Sequence, residues 1–288
     1  MPTLTIAEPL DINTIIWIGS VPEDEQCLSD RMTGKLKAQA GAGGFPIRVH
    51  EARDRQQLFD ILDKVAKDAE QGLRPILHFD THGNADMGVA LEPSGDWASW
   101  PELIERLRAI NIATGNNLVV VFGLCHGLHL YKFVQLKKAA PAYLFAAAEH
   151  AVSVKFLMDE VPEFYRQVQA QGAFLEPFKA TLGKQMTLFN CQGLFLKTLA
   201  HYVKTQGRGA VLEARIDRTV EAHLEKAGIA RPTAEDRADL VGKVRRTLEP
   251  SERLIEIFAP AFLIGRPPGF SYADVEAVAG PETPPPPV

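Results

Sequence analysis

Five short apolar runs stand out in the first two thirds of the chain, and segments of helical period separate several of them. They are 14–18 (TIIWI), 47–50 (IRVH), 75–79 (PILHF), 118–122 (LVVVF) and 142–147 (AYLFAA). The LVVVF run is apolar at every position, as expected of a strand buried on both faces in the middle of a parallel sheet. Between the second and third runs, 53–72 places Leu58, Ile61, Leu62 and Val65 on one helical stripe and ends at Gly72, a C-cap residue. Between the third and fourth, 99–111 opens with Ser99 as an N-cap and carries Leu103, Leu107 and Ile110 on one face. Strands alternating with crossover helices predict the α/β class, a mainly parallel sheet covered by helices.

Beyond about residue 170 the strand signals stop. Three stretches of helical spacing follow, broken by the glycines of 207–209 and by Arg231-Pro232. The expected organisation is a sheet domain over 1–182, a helical extension over 183–270, and a proline-rich, disordered tail over 271–288.

Composition narrows the functional classes. The chain has 288 residues, 46% of them hydrophobic and 23% charged, as in an ordinary globular protein. A net charge of -5 gives a field that repels phosphate backbones and anionic membranes, so neither nucleic acid nor membrane is an expected partner. No apolar stretch approaches the roughly 20 residues that span a bilayer, and the opening residues lack a signal-peptide pattern. A cytoplasmic protein is expected. Cys27, Cys125 and Cys191 are odd in number and widely spaced, which suits a reducing compartment and leaves a thiol available for chemistry. Gly41, Gly43 and Gly44 precede a strand rather than joining a strand to a helix, so they predict a flexible loop and not a phosphate cradle.

Ligands of open parallel sheets bind at the carboxyl ends of the strands. The third run leads into Asp80-Thr81-His82-Gly83-Asn84 and the fourth into Gly123-Leu124-Cys125-His126-Gly127. As neighbouring strands about 4.8 Å apart, they would bring His82 and Cys125 into one crevice. An imidazole beside a thiol suits thiol-mediated acyl transfer, helped by a helix start expected just after Cys125. Gly83 and Gly127 would let the backbone approach a peptide closely, and the amides of Gly83 and Cys125 would bind the developing oxyanion. Asp80 has two readings, a third member orienting the imidazole or a carboxylate capping loop amides. Cys191 reads as a core residue, Cys27 as a bystander. A rival reading gathers His78, His82, Cys125, His126 and His129 around a metal, but their spacings match no common zinc framework, and His78 is expected under a helix. No metal and no cofactor are expected.

The two glycine-flanked motifs, about forty residues apart, resemble the caspase-type signature, in which one strand ends in His-Gly and the next in a cysteine with glycine two positions on. The chain is most similar to the bacterial caspase-like branch called CHAT, through ADMGVALEPSGDW, WPELIERL, the Asn-Asn-Leu strand and AYLFAAAEHAVSVKFLMDEVPEFYRQVQAQG. This resemblance covers 70–172 and, more weakly, 10–70; Leu124 departs from the family's small residue or aspartate, and the helical remainder matches no caspase element. It implies a caspase-like fold with Cys125 as nucleophile, His82 as general acid/base, and Gly83 and Cys125 as oxyanion donors. The implied function is a cysteine endopeptidase acting on a protein substrate, under an activating or regulatory protein, in bacterial defence or cell death. The alternatives are a catalytically silent module of the same fold that binds a protein partner, and a metal-dependent hydrolase. The resemblance also implies that the residue before the cut bond enters a pocket walled by the loops after the first and fifth strands. Those loops hold Glu23, Asp24 and Glu25, and Glu149, so a basic or neutral residue is expected there. Glu149 and Asp80 are the expected substrate-binding residues.

Overall fold

Seven consecutive residues, Pro75–Thr81, are buried without interruption, and this strand organises one sheet around itself. A computed structural model describes residues 10–40 and 44–281. The glycines at 41 and 43 and the tail 282–288 lie outside the described residues. Among the described residues the chain divides into a sheet unit, 10–191 with 260–267, and a helical unit, 192–259 with 268–281.

The sheet unit runs β1 (Thr14–Ser20), α1 (Gln26–Ala40), β2 (Ile47–Glu51), α2 (Arg55–Glu70), β3 (Pro75–Thr81), β4 (Gly83–Asn84), β5 (Gly88–Leu91), β6 (Asp96–Ala98), α3 (Trp100–Ala113), β7 (Val119–Gly123), β8 (Leu144–Ala147), α4 (Val154–Gln171), α5 (Leu175–Ala180) and β9 (Thr187–Asn190). Its main sheet has six strands in the order β2-β1-β3-β7-β8-β9. The first five are parallel, and β9 pairs antiparallel with β8. Strands β4 to β6 form a separate antiparallel sheet between β3 and α3. The protein is therefore α/β with a mixed, mostly parallel sheet, as the alternating pattern predicts.

Local sequence chemistry starts the crossover helices where expected. The Asp54 carboxylate accepts from the Gln57 amide at 2.8 Å, and Ser99 and Glu102 form a capping box at the head of α3. Leu58, Leu62 and Val65 of α2 and Leu103, Leu107 and Ile110 of α3 pack on one face of the sheet with Leu77, Phe79, Val120 and Phe122. The Phe79 and Phe122 rings stack at 5.1 Å. Side chains of this size contribute about 1.5–3 kcal/mol each when fully buried. On the opposite face, α4 covers β3, bringing Tyr165 onto His78.

Three expectations about boundaries need correction. Strand signals do not end at 170: Thr187–Asn190 forms the sixth strand, with Phe189 stacked on Phe145 at 4.4 Å. As a four-residue edge strand with no fully buried position, it carries too little pattern to read. The sheet unit accordingly extends past 182 to Cys191, and 260–267 returns to it. There the Phe262 carbonyl accepts from the Ala140 amide, and the Leu263 carbonyl from the Asn116 side chain at 3.0 Å. Buried Cys191 meets that same Asn116 side chain, in agreement with a core role.

The helical unit contains α6 (Cys191–Gln206, from Gln192 on), α7 (Gly209–Lys226), α8 (Ala234–Leu248), α9 (Arg253–Phe262, to Ala259) and α10 (Tyr272–Ala279). Leu212, Ile216, Val220 and Leu224 make a stripe along α7 that packs on Val244 of α8, and Glu213 and Glu221 pair with Arg245 and Arg237 beside it. Helix α10 corrects the third expectation, since a Ser271/Asp274 capping box orders a turn within the segment assigned to the tail. No helix among the described residues is long and apolar enough to cross a membrane.

His78 yields a prediction. It is 1% exposed, stacks on Trp17 at 3.9 Å, and has Nδ1 3.1 Å from the Tyr165 hydroxyl. Burial pulls its pKa from 6.5 down to about 3, so the folded protein holds it neutral while the unfolded chain takes up a proton. The unfolded state then binds more protons between these values, and stability falls as pH drops from 6.5 toward 3, by up to about 1.4 kcal/mol per pH unit. Urea unfolding at pH 7, 5 and 4 is expected to show a shallower decline for His78→Gln than for the parent; equal slopes would contradict the assignment.

Candidate active site

The register of β3 against β7 sets the site: Asp80 lies opposite Gly123, and each chain then continues two residues to His82 and Cys125. Alternation along strands puts Asp80, His82, Gly123 and Cys125 toward one face. All four line a pocket of about 140 Å³, with Val21, Glu25, Leu28, Ser29 and Met32 on the β1–α1 side and Val152, Val154 and Leu157 on the α4 side. The structure thus brings the expected thiol and imidazole to one cavity.

His82 is held from both ends. Its carbonyl accepts from the Ala90 amide at 2.9 Å, and its Nε2 lies 3.3 Å from the Glu25 carboxylate, with the imidazole about half exposed. Because His82 and Ala90 make that bond, Gly83 and Val89 form the non-hydrogen-bonded pair of the β4–β5 ladder, and the Gly83 amide is not used there. Glycine is required at 83 for a steric reason. A Cβ at that position would stand 2.3 Å from the Cys125 carbonyl oxygen and 2.6 Å from a Leu124 methyl.

The cysteine loop is tied to the loop after β8. The Leu128 amide donates to the Ala148 carbonyl at 3.0 Å, the His126 amide to the His150 carbonyl at 3.3 Å, and the Val152 amide to the Cys125 sulfur at 3.4 Å. His126 takes a left-handed conformation, φ 61°, and its Nδ1 sits 3.2 Å from the Glu149 carbonyl. Cys125 and His82 flank the pocket without a hydrogen bond to each other; the sulfur's partner is Val152.

Several assignments change. The segment after Cys125 is not an α-helix but a seven-residue 3-10 turn, Gly127–Phe133, because the chain must fold back at once to bond with 148–150. Gly127 serves packing rather than substrate approach: it is buried, and a Cβ there would meet Phe122 at 2.9 Å. Glu149 does not line the pocket; β8 ends at Ala147, and the turn that follows leaves the Glu149 side chain exposed. The histidines of the metal reading take separate partners: His78 has Tyr165, His82 has Glu25, His126 has the Glu149 carbonyl, and His129 has Lys132. Cys27 is exposed near the start of α1.

Asp80 is 6% exposed and accepts from the Ser29 hydroxyl at 2.5 Å. Burial pushes its carboxyl above the usual range, against the opposing pull of Ser29, of the nearby Trp17 indole and of His82, while Glu25 adds to the rise. The Trp17 N–H leans toward this carboxylate without closing a hydrogen bond. Glu25 as the partner of His82, Ser29 as the partner of Asp80 and the Val152 amide were not foreseen. The adjacency of β1 to β3 is the signal that would have placed the β1–α1 segment against His82.

No family model and no curated protein matches this chain. The site stands on its geometry.

Replacing Gly83 by alanine is expected to push the histidine and cysteine loops apart. It should lower stability by about 1–3 kcal/mol in thermal unfolding and change the alkylation rate of Cys125. Parent-like melting and alkylation would show that the two loops are not in backbone contact.

Proposed function

We propose that the chain is a cysteine endopeptidase of the caspase-like class, most similar to the CHAT branch, with Cys125 as nucleophile and His82 as general acid/base. The observation that carries this reading is a thiol and an imidazole at the ends of adjoining parallel strands, lining one pocket. With Nε2 turned to Glu25, Nδ1 is the ring nitrogen left to exchange a proton with the thiol. In the first step His82 takes the thiol proton and the Cys125 sulfur bonds to the peptide carbonyl carbon. The carbonyl electron pair moves to oxygen, where the Gly83 and Cys125 amides are the donors. As that pair returns, the C–N bond breaks and the amine leaves with the proton from His82, giving a thioester. Water then adds to the thioester with His82 as base, releasing the acid and restoring the thiol.

The substrate would be a protein, cut without metal or cofactor in the cytoplasm under an activating protein, and bacterial defence or cell death is the setting the resemblance suggests. Peptidyl acyloxymethyl ketones, which need a positioned thiolate, test the chemistry directly. Labelling is expected at Cys125, abolished by Cys125→Ala and reduced about 1,000-fold or more by His82→Ala, with the folded state kept in both. Alkylation of Cys125 by iodoacetamide with no labelling by any substrate-like probe would favour the silent partner-binding module instead.

A further inference from the structure

We infer that the pocket beneath Cys125 and His82 receives the side chain on the acyl side of the cut bond and selects a lysine- or arginine-like cation, with Asp80 as its anchor. This specificity rests on the peptidase reading; the charge preference of the pocket does not. Asp80 and Gly123 face each other two residues before the reacting pair, and all four residues line the same cavity. Gly123 adds no side chain to this space, and even a Cβ there would come within 2.9 Å of the Phe79 carbonyl and His78 Nε2.

Apolar walls suit a methylene stem: Leu28 and Met32 on one side, Val152 and Leu157 on the other. At its polar end lies Asp80, almost wholly buried, whose hydrogen bond comes from a neutral hydroxyl, Ser29. Glu25, engaged by His82 at 3.3 Å, is a second carboxylate in the lining, and no described lysine or arginine lines the cavity. A guest ammonium or guanidinium would supply the charge this carboxylate lacks; a guest carboxylate would put like charges together out of water. The cavity, about 140 Å³, has room for a side chain of several non-hydrogen atoms. The elevated carboxyl of Asp80 agrees with a site that is electrostatically unsatisfied when empty.

Two measurements test this in a Cys27→Ser background, which removes the exposed second thiol. The first compares the rates at which Cys125 reacts with 2-aminoethyl methanethiosulfonate, a cation, and 2-sulfonatoethyl methanethiosulfonate, an anion, each relative to free glutathione. The cation should be favoured roughly tenfold or more, and Asp80→Asn should bring the ratio back toward that of the free thiol. No cation preference in the Asp80 protein overturns the proposal, whatever the variant does. The second uses peptides that differ only in the residue before the cut, with lysine, arginine, leucine or aspartate there. Higher kcat/KM for lysine and arginine, lost in Asp80→Asn, is expected; cleavage after leucine or aspartate at an equal rate overturns it. A cation preference with no peptide cut would remove the peptidase reading while leaving the pocket's selectivity in place.

Discussion

Parallel pairing of β3 with β7 is the constraint on which the site depends. Each strand alone would carry its histidine or cysteine into a loop with no defined neighbour. Pairing fixes Asp80 against Gly123, and the two-residue continuation of each chain carries His82 and Cys125 over the same face. Both strands are buried throughout, so a slip of one residue would drive a whole set of side chains out of the core. Hydrophobic packing on the α2–α3 side thereby sets a chemical geometry on the α1–α4 side.

That second face is built differently. Along β3, Leu77 and Phe79 enter the apolar core, while His78 and Asp80 point the other way and are also buried. Their polar atoms are met by Tyr165 of α4 and Ser29 of α1. A purely apolar face would have packed more simply. The polar one places a carboxylate at the base of the cavity and commits both helices to positions beside it.

Much of this could be read in advance, for reasons tied to particular residues. The runs beginning at 14 and 75 coincide with observed strand starts because they are short, apolar and bounded by turn or helix signals, and the alternating IRVH run starts a strand at 47. Ser99 stands where a helix cap forms, while the Asp54 cap of α2 was not singled out beforehand. The histidine and cysteine loops were legible because each follows a strong strand. Glu25, Ser29 and Val152 were not, since their contacts join segments far apart in sequence, and local period carries no trace of such pairs. Nor could Glu149 be placed correctly: whether a loop carboxylate faces a pocket or solvent depends on one turn, here the fold-back of 148–150 over the cysteine loop.

At Gly83 the histidine loop meets the cysteine loop main chain to main chain, with the Cys125 carbonyl where a side chain would otherwise begin. Little side-chain entropy is therefore lost in setting the distance between the two loops, a Leu124 methyl lying beside the contact. Substitution at the outward positions of either loop can proceed while the spacing stays the same. The gap between the two reacting groups is in this sense a property of the backbone, inherited with the fold instead of being composed anew by each set of neighbouring side chains.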